Sequence, residues 1–186
     1  ELDLPTDSFL LISVSNNRKM KGLRYLLEAF NDISNDLSIH LLLVGRNMDN
    51  KQNLKILNQG KKKDNVHMLG FRKNVLNIVA SSNVFVLPSI KGESITKSVI
   101  EAMSLSVTPI ITNIPGNKEL IINNESGLIV PYKRSDKLRD AILKLYENQS
   151  FCRALGENSK KRIETKINHK QAILKTKELF ESLCQK

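Results

Sequence analysis

The sequence predicts an α/β fold, with a parallel sheet of six strands covered by helices on both faces. Two observations carry this. Short continuous apolar runs alternate with segments of helical period along the chain, the pattern of strands buried on both sides and joined by helical crossovers. Composition agrees, since 40% apolar and 26% charged residues over 186 positions suit one globular domain and exclude a disordered, collagen-like or low-complexity chain.

The strands are expected at 9–14, 39–44, 66–69, 84–87, 108–112 and 128–130, each too short for a buried helix and most rich in β-branched residues. The first crossover helix carries Leu23, Leu26, Leu27, Phe30 and Ile33 at i, i+3, i+4 and i+7 spacing, which aligns them into one buried stripe. Shorter helices with polar starts are expected over 50–58 and 74–82, each separating two strands as a right-handed crossover requires. A further helix has the stripe Ile95, Val99, Ala102 and Met103, and another has Leu138, Ala141, Ile142 and Leu145. Beyond residue 150 no strand is expected. Residues 151–164 read as a helix, and so do those around Ala172, Thr176, Leu179, Phe180 and Leu183, both packed outside the sheet. No repeat, linker or low-complexity tract divides the chain, so residues 1–186 are expected to form a single domain. The chain has no initiator Met and enters its first strand within about ten residues, so it reads as a fragment of something longer.

Charge narrows the partner. With 29 Lys and Arg against 19 Asp and Glu, the formal charge of +10 favours an anionic ligand or surface. The two cysteines, Cys152 and Cys184, have neither metal-ligand spacing nor the density of a disulfide scaffold, which points to a reducing compartment. No apolar run reaches the ~18 residues of a membrane span, and Glu1-Leu2-Asp3-Leu4-Pro5 is acidic where a secretion signal would be basic. The expected location is therefore cytoplasmic.

In an open parallel sheet, ligands bind outside the carboxyl ends of the strands. Those ends are polar and basic here: Ser15-Asn16-Asn17-Arg18 with Lys21-Gly22, Gly45-Arg46, Gly70-Phe71-Arg72-Lys73, Pro88-Ser89 with Lys91-Gly92-Glu93, and Asn113 with Pro115-Gly116. Cations gathered at one end of a sheet, beside glycines that admit a ligand to the backbone, suit a diphosphate. The plain alternative for Arg46 and Arg72 is that of solvated loop residues. Glu93 and Glu101 stand eight residues apart. A helical rise of ~1.5 Å per residue separates them by about 12 Å, too far to share one reaction centre. Two carboxylates at that distance suit two sugars, each gripped through vicinal hydroxyls, with the diphosphate at the helix N-terminus between them. The plain alternative is a Glu101 paired with Lys97 one turn earlier, worth only ~0.3 to 0.5 kcal/mol.

The order Lys21-Gly22, Gly45, Gly70, Pro88-Ser89, Glu93 with Glu101-Ala102-Met103, Gly116, Glu119-Leu120, Gly127-Leu128 and Val130-Pro131 resembles the C-terminal domain of family-4, or group 1, glycosyltransferases over roughly residues 10–150. The resemblance implies a GT-B enzyme, in which two Rossmann-like domains of three-layer α/β/α build face each other across a cleft. This chain would be the donor-binding half, with the N-terminal acceptor domain absent, so that alone it binds donor weakly and transfers little or nothing. The implied substrates are a UDP- or GDP-sugar and a glycan or lipid-linked acceptor, with retention at the sugar carbon. No metal and no other cofactor is implied.

By resemblance, Glu93 and Lys21 are the catalytic pair. Glu93 would hold the transferred sugar, the amides of Ser94, Ile95 and Thr96 would lie near that sugar and the distal phosphate, and Lys21 would grip the diphosphate. Glu101 would hold the ribose hydroxyls, and Gly70 to Arg72 would face the base. Where members often carry Arg, five residues before the Lys, this chain has Asn16, leaving Arg18 as the nearest guanidinium. His40, His67 and His169 match no motif and read as structural.

Other readings remain open at this point. A nucleotide-sugar epimerase or a phosphorylase shares the architecture, yet candidates for the former's acid/base groups and the latter's pyridoxal-bearing Lys are not evident. A nucleic-acid or other anion-binding module would use Lys61-Lys62-Lys63 and Lys160-Lys161-Arg162, which otherwise read as solvated helix ends. Aromatics at 5% with no Trp are few for stacking bases, and no DNA-reading motif is present, so no nucleic-acid partner is expected. The same basic runs suit peripheral contact with an anionic membrane leaflet.

Overall fold

A computed structural model of the chain describes residues 4–91, 96–116 and 119–166. Its sheet has six strands, all parallel: β1 (Phe9–Val14), β2 (Ile39–Val44), β3 (Val66–Gly70), β4 (Val84–Leu87), β5 (Thr108–Thr112) and β6 (Leu128–Val130). The expected strands are all present, and β3 runs one residue further to include Gly70. Strand order across the sheet is β3-β2-β1-β4-β5-β6, so the direction of winding reverses between β1 and β4. That reversal opens a crevice at the carboxyl edge, where neighbouring crossovers depart to opposite faces.

The helices are α1 (Leu23–Asn31), α2 (Lys51–Gln59), α3 (Val75–Ala80), α4 (Lys97–Ser104), α5 (Ser135–Glu147) and α6 (Gln149–Lys166). Asn50 starts α2 by accepting the amides of Gln52 and Asn53 at 2.9 and 3.0 Å, satisfying two otherwise orphaned donors. The predicted stripes are buried, including Ile33 just past the end of α1. The helix expected around 172–183 lies outside the described residues, as does Ile95, the first member of the α4 stripe.

Alternation along the strands sorts side chains into two cores. Leu11, Leu41, Leu43, Val84, Val86 and Ile110 face α1, α2 and α5, while Ile12, Leu42, Val44, Phe85, Leu87 and Ile111 face α3 and α4. This is a three-layer, Rossmann-like α/β/α arrangement, as the apolar runs predict, because strands covered on both faces hold few polar residues. Helix α6 fastens to the α4–β5 region. Thr108 Oγ1 donates to the Cys152 carbonyl at 2.5 Å, and a side chain at Gly156 would begin 2.1 Å from the Ser106 carbonyl oxygen. Helix and turn therefore pack at backbone contact.

In each basic run two residues are exposed, as expected of a solvated helix end, and one is not. Lys62 is fully buried, donates from Nζ to the Leu37 carbonyl at 2.7 Å and lies over the Phe30 ring; burial pushes its ammonium pKa down. Arg162 donates to the carbonyls of Leu120 and Glu119 at 2.8 and 2.9 Å, holding α6 to the segment after β5. These two side chains are therefore withdrawn from any open basic face, which leaves Lys61, Lys63, Lys160 and Lys161 exposed.

Candidate functional site

The loop after β1 is built against the loop after β2. Asn17 N–H donates to the Arg46 carbonyl at 3.0 Å, Asn16 Oδ1 accepts the Arg46 amide at 3.3 Å, and Asn17 Nδ2 donates to the Asn47 carbonyl at 2.8 Å. Asn16 is thus occupied in joining two loops. The chain then makes a short 3-10 turn, Lys19–Lys21, before Gly22 leads into α1.

Gly22 has φ 66°, a left-handed value, and a Cβ there would sit 2.0 Å from the Pro88 carbonyl oxygen. Only glycine meets both demands. The loop after β4 completes the contact, with Ile90 N–H donating to the Met20 carbonyl at 2.8 Å. From the far side, Thr112 Oγ1 donates to the Ser89 carbonyl at 2.5 Å. The two loops flanking the β1/β4 reversal are therefore one bonded unit, and residues 21–22 and 88–90, which are distant in sequence, meet at the crevice.

Among the predicted residues, Lys21 ends the 3-10 turn at this junction, and Thr96 precedes α4 in extended backbone. Glu101 lies within α4 with its side chain 31% exposed, and Lys97 Nζ stands 3.4 Å from its Oε1 while remaining 89% exposed itself. The one-turn pair that the spacing allows is thus formed, but it is solvent-screened and leaves Glu101 partly accessible. Glu93, Ser94 and Ile95 lie outside the described residues.

The arginines do not share one cavity. Arg18 lines a cavity of about 440 Å³ with Lys19, Arg24 and Asn50, between the starts of α1 and α2. Arg46 lines one of about 320 Å³ with Gly45, Gly70 and Phe71, over the ends of β2 and β3. Arg72 lines a third, of about 450 Å³, with Leu10, Leu42, Leu69 and Ile78 beneath α3. No group of three or more His, Cys, Asp or Glu fit to hold a metal ion occurs among the described residues. Nor is any helix among them long and apolar enough to cross a membrane.

Sequence reasoning missed two features. Arg46 and Phe71 form a cation–π pair, the guanidinium carbon over the ring at 5.6 Å from its centroid. Both follow a glycine at the end of adjacent strands, and that repeated position was the available signal. His40 Nδ1 and His67 Nε2 stand 3.1 Å apart with the rings stacked, on neighbouring strands β2 and β3. Burial lowers both imidazole pKa values, and His67 and Lys62 lower that of His40 further.

A family model described as "Glycosyl transferases group 1" matches residues 1–162. The chain is 29% identical over 170 residues to the capsular polysaccharide biosynthesis glycosyltransferase CapM of Staphylococcus aureus, covering 89% of this chain and 44% of that one. It superposes with a TM-score of 0.82 on Anabaena Alr3699/HepE in complex with UDP-glucose, at 17% identity, covering 97% of this chain and 50% of the other. The C-terminal domain of a group 1 family glycosyl transferase (LpcC) from Francisella tularensis superposes at 0.76 with 19% identity, covering 87% of each chain. The chain spans less than half the length of the curated relatives it matches.

Proposed function

The chain belongs to the group 1 glycosyl transferases, and on that premise we propose that it is the donor-binding half of a retaining, metal-independent enzyme that moves a sugar from a nucleoside-diphosphate donor to a glycan or lipid-linked acceptor. The observation that carries the reading is the bonded junction of residues 20–22 with 88–90 at the strand-order reversal. The basic loop after β1 meets there the loop that leads from β4 toward α4, and in this reading a diphosphate lies between that loop and the start of α4.

In this reading Lys21 faces the diphosphate and meets the charge that develops on it as the sugar departs; together with the α4 dipole this is electrostatic stabilisation without a metal. Glu101 accepts hydrogen bonds from the ribose hydroxyls, for which a partly exposed carboxylate on α4 is suited. Glu93 holds the transferred sugar, flanked by the amides of Ser94, Ile95 and Thr96. Arg18 is kept as a donor-site cation, since its cavity also includes Gly22 and Ile90, and Arg72 is kept as one on its position just after β3. Residues 1–186 act as one domain, and an acceptor domain elsewhere in the protein closes the cleft. The product is a surface polysaccharide or a lipid-linked glycan, made on the cytoplasmic side, where exposed lysines outside the site touch an anionic leaflet.

Calorimetric titration with UDP, GDP and ADP, beside a DNA oligomer at equal ionic strength, tests this. One diphosphate binds, and Glu101→Ala weakens it by ~1 to 3 kcal/mol, the usual range for a lost hydrogen bond to a charged group. Binding of DNA with none of the three nucleotides would overturn the proposal.

A further inference from the structure

The loop after β1 carries more positive charge than one diphosphate uses. Arg18, Lys19 and Arg24 all line the cavity of about 440 Å³ between the starts of α1 and α2, and no Asp or Glu is among its lining residues. Arg24 Nε meets Glu28 at 2.6 Å, which leaves its two terminal nitrogens, whereas Arg18 and Lys19 form no ion pair with a described residue. The helices do not compensate either. Neither α1 nor α2 has an acidic residue in its first turn, α1 has no side-chain cap, and α2 opens on Lys51. Cations at a helix start oppose its dipole, so this gathering destabilises the empty cavity, and an entering anion offsets that cost.

The cavity is a neighbour of the donor diphosphate and not the same place. In the donor reading the diphosphate lies at the start of α4, which packs on one face of the sheet, while α1 and α2 pack on the other. Gly22 and Ile90 line the cavity and belong to the loop junction, which puts it beside that diphosphate at the carboxyl edge. Its volume falls within the ~300–1,000 Å³ of small-molecule sites, so it admits more than a bare ion. Asn53, 4% exposed, also lines it; its Nδ2 is spent on the Met48 carbonyl at 2.7 Å, and Oδ1 is left to accept from a hydroxyl. We infer that the cavity is a second anion subsite, in which Lys19 and Arg24 bind a phosphate carried by a hydroxyl-bearing acceptor while the donor is in place. Arg18 is left to the donor, as above. The inference rests on the donor-site reading and names a chemical feature of the acceptor that the reading leaves open.

Titration of the UDP-saturated chain with inorganic phosphate, methyl phosphate and glycerol 3-phosphate, followed by amide chemical shifts, tests this. The expected result is that all three bind without displacing UDP, that glycerol 3-phosphate binds most tightly, and that the shifts fall on residues 18–25 and 50–53, which border the cavity. Lys19→Gln and Arg24→Gln should each weaken glycerol 3-phosphate binding about two- to fivefold and leave UDP binding unchanged. Lys19 is exposed and opposes the α1 dipole, so Lys19→Gln should leave the melting temperature unchanged or raised, whereas loss of a cation that served only the fold would lower it. If the phosphates displace UDP, or fail to bind at all, the inference is refuted while the donor reading stands. Binding of inorganic phosphate with exclusion of both esters would assign the cavity to the free ion and refute an acceptor group. If UDP does not bind the unaltered chain, the donor-site reading falls and this inference falls with it.

Discussion

Replacing Gly22 by Ala tests the junction on which the site reading depends. At φ 66° an L-residue incurs a left-handed backbone cost of about 1–2 kcal/mol. The added methyl would sit 2.0 Å from the Pro88 carbonyl oxygen and 3.0 Å from Ile90 Cγ2. Because the obstacle is backbone, relief requires moving the β4–α4 loop, and overpacking of this kind costs about 1–3 kcal/mol. The reduced freedom of the unfolded alanine chain returns about 0.4–1 kcal/mol. The net destabilisation is about 3 kcal/mol, a melting-temperature drop of roughly 6–12 °C for a domain of this size. Gly70→Ala is the control. Its φ of 65° is nearly the same, but nothing stands within 4 Å, so only the backbone cost applies and the loss is about 1 kcal/mol. Urea unfolding of both variants measures the difference, and UDP titration follows its effect on the site. Equal stability of the two variants would refute the close approach of the two loops.

Glu101→Ala should weaken nucleoside diphosphate binding as stated above, whereas Lys97→Ala, removing an exposed partner, should change stability by no more than about 0.5 kcal/mol; titration and urea unfolding of the pair separate the two roles of Glu101. Folded-state pKa values of His40 and His67 lie below the ordinary 6.5, so the unfolded chain takes up protons first as pH falls. Stability is therefore full above pH 6.5 and declines as pH drops through the folded values; unfolding at pH 7.5 and 5.5 checks this, and a His40→Gln/His67→Asn chain should lose most of the pH dependence. Arg162→Ala removes two charge-assisted bonds to the Leu120 and Glu119 carbonyls and should cost about 1.5–3 kcal/mol, with amide exchange accelerating in α6.

Much of the fold was legible because it is written in local periodicity. The runs FLLISV, IHLLLV and VFVL admit few polar residues, and a segment apolar on both alternating faces has to lie inside two layers. The stripe Leu23, Leu26, Leu27, Phe30 and Ile33 likewise states its own buried face, and all five are buried. The order of glycines, lysines and glutamates along the chain was enough to indicate the family that the residue 1–162 match supports.

Adjacency was not legible in the same way. Winding outward from β1 in both directions places the loop at 20–22 against that at 88–90, and Arg46 against Phe71, through pairings between strands separated by whole crossovers. No local window contains both partners, so periodicity is silent about them. The lysine run at 61–63 shows the limit most plainly: its composition suggests a solvated surface, yet the turn before β3 directs Lys62 inward to the Leu37 carbonyl and the Phe30 ring. Sequence by itself determined which segments must be buried, because burial follows from each segment's own apolar area. Tertiary structure alone decided which polar groups meet, because a hydrogen bond or a stacked pair depends on ångström-scale placement of atoms from distant segments, and strand order and packing set that placement.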